Sequence, residues 1–312
     1  MNESVLSFKD KYFGDKNFYK MTLTIAIPII IQNLLTNLVS MADNIMVGQL
    51  GTNQMSGVAI INQLFFVFNL LVFGGMSGAG LFSAQYFGQK NHNGVRDVFR
   101  MKILIGITII AISISVMIFL HEPLINMFLH EGSSSGNIQE TFNYAKNYLY
   151  IMVIGIAPFV ISNCYNTTLK ESGQTVVPMK AGVLAVVFDI VLNYIFIFGK
   201  LGFPAMGVVG AAIATVISRF VECGYLVIYT HIHSNDYPFI KHCYRTLKVP
   251  GSLVKKIIIT GAPLMLNEFL WAGGLTLQTQ ALSTKGLATV GGLNICNTIG
   301  NISNCIFVTM GT

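Results

Sequence analysis

Eight long apolar segments dominate the sequence and limit what the chain can fold into. They run roughly over residues 21–47, 56–88, 98–120, 146–169, 177–199, 207–231, 253–283 and 287 to the end. A helix needs about 20 mostly apolar residues to cross a bilayer core, where every backbone group must be hydrogen-bonded inside its own segment. The segments therefore predict an all-α polytopic membrane protein with about eight transmembrane helices.

The composition excludes several other classes of protein. Charged residues make up 10% of the chain and hydrophobic residues 53%, whereas a soluble domain carries about 25% charged residues. The basic residues are dispersed at the ends of the apolar segments, so no nucleic-acid partner is expected. The five cysteines show no CxxC spacing, which argues against a disulfide framework or a structural metal. No nucleophile–base pair or phosphate-binding loop points to an enzyme, and no cofactor is expected.

The basic residues also indicate how the segments are oriented. Fifteen Lys and Arg residues fall in the N-terminal stretch and in connections 88–102, 170–180 and 241–256, against three in the alternate connections. Cytoplasmic loops carry the excess of Lys and Arg. The count predicts a protein of the plasma (cytoplasmic) membrane with a cytoplasmic N-terminus. Residues 1–20 then form an amphipathic leader at the inner surface and are not a cleaved signal peptide.

An internal repeat predicts two related lobes. A shift of 235 residues aligns, without a gap, Pro28 with Pro263, Gly51 with Gly286, Gly57 with Gly292, Ile60 with Ile295, Asn62 with Asn297 and Asn69 with Asn304. Six crossings separate the copies, so both start from the cytoplasmic side. The expected parts are an N-terminal six-helix lobe (21–231), a cytoplasmic interlobe linker (232–252) and the first two helices of a second, truncated lobe (253–312).

Polar side chains on the first segment predict a functional face. An ionisable side chain in a membrane segment costs roughly 2.5–3.5 kcal/mol on insertion scales, so it is a functional candidate. Asp43 belongs to a stripe spaced by three and four residues, which lines one face of a helix. The stripe comprises Asn33, Thr36, Asn37, Ser40, Asp43 and Asn44. We interpret Asp43 as a proton or cation site with Asn33, Asn37 and Asn44 as polar neighbours. The alternative is hydrogen bonding between helices alone.

Other ionisable residues fall in later segments. Asp189 and Asn193 are spaced i, i+4, so they share a helical face and would complete a site with Asp43, unless they only join helices. Glu268, near the start of the seventh segment, has no evident partner and is a second candidate for binding the coupling ion. Arg219 and Glu222 are spaced i, i+3 and are interpreted as charges that neutralise each other. No metal is expected beyond Na⁺ at the coupling residues.

Four stretches resemble the multidrug and toxic compound extrusion (MATE) family. They are IPIIIQNLLTNLVSMADNIMVGQLG at 27–51, GGMSGAGLFSAQYFGQKN at 74–91, DIVLNYIFIFGKLGFPAMGVVGAAIATVISR at 189–219 and GAPLMLNEFLW at 261–271. The resemblance implies two six-helix lobes around a cleft. It also implies a secondary antiporter that exports organic cations in exchange for H⁺ or Na⁺ by alternating access.

The resemblance assigns roles to individual residues. Asp43 matches the family's first-span aspartate, and Glu268 matches a seventh-span glutamate linked to cation coupling. Many members carry Asn and then Asp in the fifth span, whereas this chain has Asp189 and then Asn193. The expected partners are amphipathic cationic small molecules and the lipid bilayer, with the chain a monomer.

Two other interpretations of the chain's function stay open. The chain is short by about four spans of the family's second lobe, so one alternative is a non-transporting fragment. A lipid-linked oligosaccharide flippase of the same superfamily is the other, although such a cleft would need several Arg and Lys residues and only Arg219 is available.

Overall fold

The computed structural model describes residues 15–128, 138–283 and 300, and these residues are mostly helical. In chain order the helices are α1 (Lys16–Gly48), α2 (Thr52–Gly88), α3 (His92–Phe119), α4 (His121–Asn126), α5 (Ile138–Ile154), α6 (Ile156–Glu171), α7 (Val176–Phe198), α8 (Val208–Ile232) and α9 (Gly251–Ser283). A single 3-10 turn, Cys243–Arg245, lies between α8 and α9.

Several of these helices are long and apolar enough to cross a membrane. Within the described residues they are α1, α2, α3, α7 and α8, and the bent pair α5 and α6 adds a sixth if it counts as one span. These agree with the first six predicted segments. α9 covers the predicted seventh segment as a helix of 33 residues. The predicted eighth segment lies, apart from residue 300, outside the described residues, so the total of about eight spans stays a prediction.

α1 begins inside the predicted leader. Asp15 accepts a hydrogen bond from the backbone N–H of Phe18 at 2.8 Å and so caps the helix that starts at Lys16. A capping carboxylate satisfies a backbone donor that has no partner inside the helix. Residues 16–20 therefore continue the first span as helix, and residues 1–14 lie outside the described part of the chain.

The predicted fourth span is broken in the middle. The axes of α5 and α6 differ by 47° across Gly155. Pro158 lies in the first turn of α6, where its missing N–H costs no helical hydrogen bond, but its ring would clash with the carbonyl of Ile154 in a continuous helix. The proline therefore places the break just before α6.

One continuous apolar core joins α1 to α8. It includes Ile61 and Phe65 from α2, Phe99 from α3 and Leu149 from α5, all of them nearly inaccessible. α1 packs mainly on α7, α7 on α8, and α2 on α3 and α5. The first eight helices thus share one packed interior.

The linker also contacts this core. Phe239 lies with its ring 5.5 Å from that of Phe99, and Arg100 donates from Nε to the carbonyl of Cys243 at 2.9 Å. Arg96 donates from Nη2 to the carbonyl of Pro238 at 3.3 Å. The segment predicted as a polar interfacial loop is therefore bound to α3 by aromatic packing and by two arginines.

α9 resembles α1 in its position in the repeat and packs on α2. It begins 235 residues after α1, and its Pro263 takes the place of Pro28 within the helix. A Cβ atom added at Gly78 would overlap the backbone of Gly261, so the two helices cross in direct backbone contact. Leu253 and Ile257 of α9 form a second, smaller apolar cluster with α2 and α3.

Candidate coupling site

α1 and α7 bring three predicted residues together. The amide Nδ2 of Asn193 donates to Asp43 Oδ1 at 2.7 Å and to Asp189 Oδ2 at 3.1 Å. Asp189 and Asn193 are 4% and 1% exposed, and Asp43 is partly buried. Carboxylates only accept hydrogen bonds, so the amide must present its nitrogen to both. One amide therefore joins two carboxyl groups that are 146 positions apart in the chain.

The two carboxyl groups lie close enough to hydrogen-bond to each other when one of them carries a proton. In such a buried position two negative charges repel each other unless a proton or a cation lies between them. The Oδ1 atom of Asn193 is also buried, and it has no hydrogen-bond partner in the described residues. The arrangement supplies oxygen atoms suited to a proton or to a hard cation such as Na⁺.

α8 adds a residue to this site that the sequence analysis did not single out. The Oγ atom of Ser218 lies 3.2 Å from Asp189 Oδ1 and 2.8 Å from the carbonyl oxygen of Thr215, and its one hydrogen can be donated to either acceptor. Its position one residue before Arg219, in an otherwise apolar segment, is the signal that would have found it. α8 therefore contributes a hydroxyl group to the same cluster as α1 and α7.

The remaining polar residues of α1 are placed less uniformly. Asn33 and Asn37 are partly buried, whereas Asn44 is exposed. The hydroxyl of Thr36 is bonded to the carbonyl of Gln32 in its own helix. Gln32, which was not part of the predicted stripe, is buried and faces α7 at Gly182. The other residues of the stripe thus lie on the same helix as Asp43. The hydrogen bond to the Asp43 carboxyl group comes from Asn193 of α7.

Glu268 lies apart from this cluster. It is a partly buried residue of α9. No hydrogen bond or ion pair in the described part of the chain connects it with Asp43, Asp189 or Asn193. Its coupling role stays a prediction.

Arg219 is held by aromatic rings. Its guanidinium carbon lies 5.3 Å from the ring centre of Phe65 and 5.0 Å from that of Phe159, a geometry that favours a cation. It interacts electrostatically with both Glu222 and Asp189. Among the described residues no ion pair of 4.0 Å or less joins it to Glu222. The two are neighbouring charges and not the direct pair that their spacing suggested.

Lys102 is buried, although the sequence analysis counted it among the cytoplasmic loop charges. It lies within α3, fully inaccessible. Its Nζ donates to Glu171 Oε2 at 2.6 Å, and to the hydroxyl groups of Thr167 and Thr168 at 2.9 and 3.2 Å. This ion pair links α3 to α6. Local sequence could not reveal it, because Glu171 is 69 residues away.

Comparison with known proteins gives consistent matches. The sequence model of the MatE family matches residues 28–195, more than half of the chain. The "Probable multidrug resistance protein NorM" of Thermotoga maritima is 30% identical over 284 residues, which are 91% of this chain and 59% of that protein. The "Probable multidrug resistance protein YoeA" of Bacillus subtilis is 27% identical over 78% of this chain and 51% of that protein.

Solved structures agree in fold. An outward-facing multidrug resistance MATE family transporter of the MOP superfamily superposes with a TM-score of 0.81 at 23% identity, covering 93% of this chain and 62% of that one. A MOP superfamily transporter from Pyrococcus furiosus, described as having a reversed polarity of its binding pocket, gives 0.75 at 22% identity, with 93% and 62% covered. The chain thus spans less than two thirds of each of these relatives.

Proposed function

Because the chain belongs to the MatE family, we propose that it works as a secondary active antiporter that exports amphipathic organic cations in exchange for H⁺ or Na⁺ by alternating access. The names of its relatives, which describe multidrug resistance proteins, support the substrate class. The chain covers 59% of the length of the Thermotoga protein. That this chain carries out the transport expected of a whole transporter is therefore itself proposed.

The observation that carries the proposal is the pair of carboxyl groups bridged by Asn193. A buried pair of acids from two helices binds one cation well and two negative charges poorly. Such a site changes its charge when the cation arrives or leaves. That change is what an antiporter needs in order to couple an ion gradient to the movement of a drug.

Coupling would work through the packing of α1 against α7. With a proton or Na⁺ bound, Asp43 and Asp189 are neutralised and the two helices can stay together. Without it, the two carboxylates repel and favour a different arrangement. The ion can shift the two facing states only by the difference between its affinities for them, and the drug is released by the same linkage.

The other predicted residues take supporting roles in this proposal. Asn33, Asn37 and Asn44 line the same helix as Asp43 and would keep its surroundings polar. Glu268 would bind a coupling ion on the α9 side of the cleft. We place the protein in the cytoplasmic membrane as a multi-pass monomer with its N-terminus in the cytoplasm, in line with the distribution of its basic residues.

The test is the efflux of ethidium from cells that express this chain. Asp43→Asn removes one carboxyl group with little change of shape, so we expect coupled efflux to fall to the background of cells that lack the protein. The matched control is Glu122→Gln, since the Glu122 side chain is 62% exposed and lies outside the site. The control should retain the efflux of the wild type.

Other outcomes identify the alternatives. Wild-type efflux in the Asp43→Asn variant would refute the coupling role of this carboxyl group. No efflux from a wild-type chain that is correctly inserted in the membrane would favour the alternative that the chain is a non-transporting fragment. Movement of a lipid-linked oligosaccharide without movement of ethidium would favour a flippase.

A further inference from the structure

A second group of charged residues, all of them partly buried, lies near the carboxyl pair, and the proposed antiport does not use it. Arg219 and Glu222 belong to α8, and Lys170 lies in the last turn of α6. Arg219 interacts electrostatically with both Asp189 and Glu222. Glu222 in turn interacts with Lys170. The charges form one series from the carboxyl pair to the end of α6.

Neighbouring contacts locate Arg219 in the bundle. Ser218, its neighbour in α8, is hydrogen-bonded to Asp189, so this turn of the helix faces the carboxyl pair. The rings of Phe65 and Phe159 hold the guanidinium group. Its Nη1 atom is buried and makes no hydrogen bond to any described residue. No ion pair of 4.0 Å or less locks Arg219 to either acid within the described residues.

The surroundings contain few other titratable groups. Those that interact with Arg219, Glu222 or the carboxyl pair in the described part of the chain are Tyr148 of α5, Lys170 of α6 and Cys223 of α8. Lys102 is paired with Glu171 and so is already neutralised. By residue type the group holds three acids, Asp43, Asp189 and Glu222, and two bases, Arg219 and Lys170, so a single monovalent cation would balance the charges if all five were ionised.

We propose that Glu222 and Lys170 tune the cation affinity of the Asp43–Asp189 pair through the shared charge of Arg219. The positive charge of Arg219 disfavours a cation at the pair. Glu222 offsets that charge and so strengthens cation binding, whereas Lys170 offsets Glu222 and weakens it again. The two residues act on the site from a distance and contact neither the cation nor the drug. The inference rests on the proposed role of the carboxyl pair as a cation site.

The sign of each effect gives a sharp test. Glu222→Gln should weaken cation binding about tenfold, and Lys170→Met should strengthen it by about the same factor. The double variant should return to within about twofold of the wild type, because its charge balance is restored. Damage to the fold would not move two variants in opposite directions, nor would it be repaired by combining them.

The measurement needs no drug. A cation that binds only the folded chain raises its unfolding temperature, so the concentration for half-maximal stabilisation reports affinity. We would measure this concentration for Na⁺, and for H⁺ at a fixed Na⁺ concentration, with the purified chain in detergent. The stabilisation that is lost in the Asp43→Asn variant is due to cation binding at the carboxyl pair. Glu122→Gln and Lys180→Met, which replace exposed residues, serve as matched controls and should leave the affinity unchanged.

Each outcome either supports or overturns the inference. Opposite shifts with restoration in the double variant would support the inference, even if the chain moves no ethidium, in which case only the transport proposal fails. An unchanged affinity in Glu222→Gln would overturn it, as would equal shifts in both single variants. Stabilisation that is independent of Asp43 for both ions would also overturn it.

Discussion

Lys102 shows at the scale of one residue how a charge can be kept in the interior of a membrane bundle. It is fully inaccessible, and its ammonium group has Glu171 and two threonine hydroxyl groups as partners. Removing two charges from water is costly, and the attraction of the pair offsets this only when the remaining donors are satisfied. Three partners satisfy the three N–H bonds of the ammonium group, which explains why a lysine is tolerated there.

Replacing Lys102 should therefore be costly. Lys102→Met leaves the Glu171 carboxylate without its counter-charge, and we expect the free energy of unfolding to fall by about 3–5 kcal/mol. Thermal unfolding of the purified chain in detergent measures this, with the exposed Lys180→Met as control. The double variant Lys102→Met, Glu171→Leu should recover most of the loss. Equal stability of Lys102→Met and the wild type would show that the ion pair does not stabilise the fold.

At the scale of elements, the break between α5 and α6 brings α6 close to α8. Gly155 lies at the break, and a Cβ atom placed there would come within 3.1 Å of Val216 and 3.2 Å of the Cδ atom of Arg219. The absence of a side chain thus lets α8 approach with the turn that carries Arg219. Pro158 sets where the helix breaks, and Gly155 allows the close approach.

We expect Gly155→Ala to disturb this junction. The added methyl group must push Val216 or Arg219 away, which should destabilise the chain by about 1–3 kcal/mol. Gly224→Ala is the matched control, because a Cβ atom there meets nothing within 4 Å. In the control the higher helix propensity of alanine should leave stability unchanged or slightly raised. Comparing the two unfolding temperatures tests the close approach; equal values would contradict it.

At the scale of the whole molecule, α9 is attached to the preceding helices mainly through α2. The contacts run from the smaller apolar cluster at Leu253 and Ile257, through the crossing of Gly78 and Gly261, to Met265 opposite Gly74. Beyond this point Phe269, Leu270 and Trp271 are exposed, Phe269 at 71%. The contacts among the described residues therefore lie in the half of α9 that follows the linker.

A disulfide should lock this contact. A Cβ atom at Gly74 would lie 3.7 Å from the Cβ of Met265, a separation that suits a disulfide. In a chain whose five cysteines are replaced by alanine, Gly74→Cys with Met265→Cys should cross-link under mild oxidation. If the proposed alternating access requires α2 and α9 to separate here, the cross-link should stop efflux, and reduction of the disulfide should restore it. Gly74→Cys with Leu266→Cys, where Leu266 is 58% exposed, should not cross-link. The absence of a cross-link in the first pair would contradict the packing of α9.

What the sequence determined by itself is what depends on neighbours along the chain. Apolar length predicted the spanning helices, and a spacing of four residues placed Asp189 and Asn193 on one face. Motif similarity identified the family. These inferences held because hydropathy and helical periodicity are local properties, set by residues within a few turns of each other.

Only the tertiary structure decided which faces meet. It joined Asn193 to Asp43 across 150 positions, buried Lys102 against Glu171, and placed Arg219 against the rings of Phe65 and Phe159. Those contacts depend on how side chains from distant helices interlock, and many pairings of the same helices would satisfy the same hydropathy pattern. A charge in an apolar segment can thus be recognised from sequence, but its partner is chosen by packing.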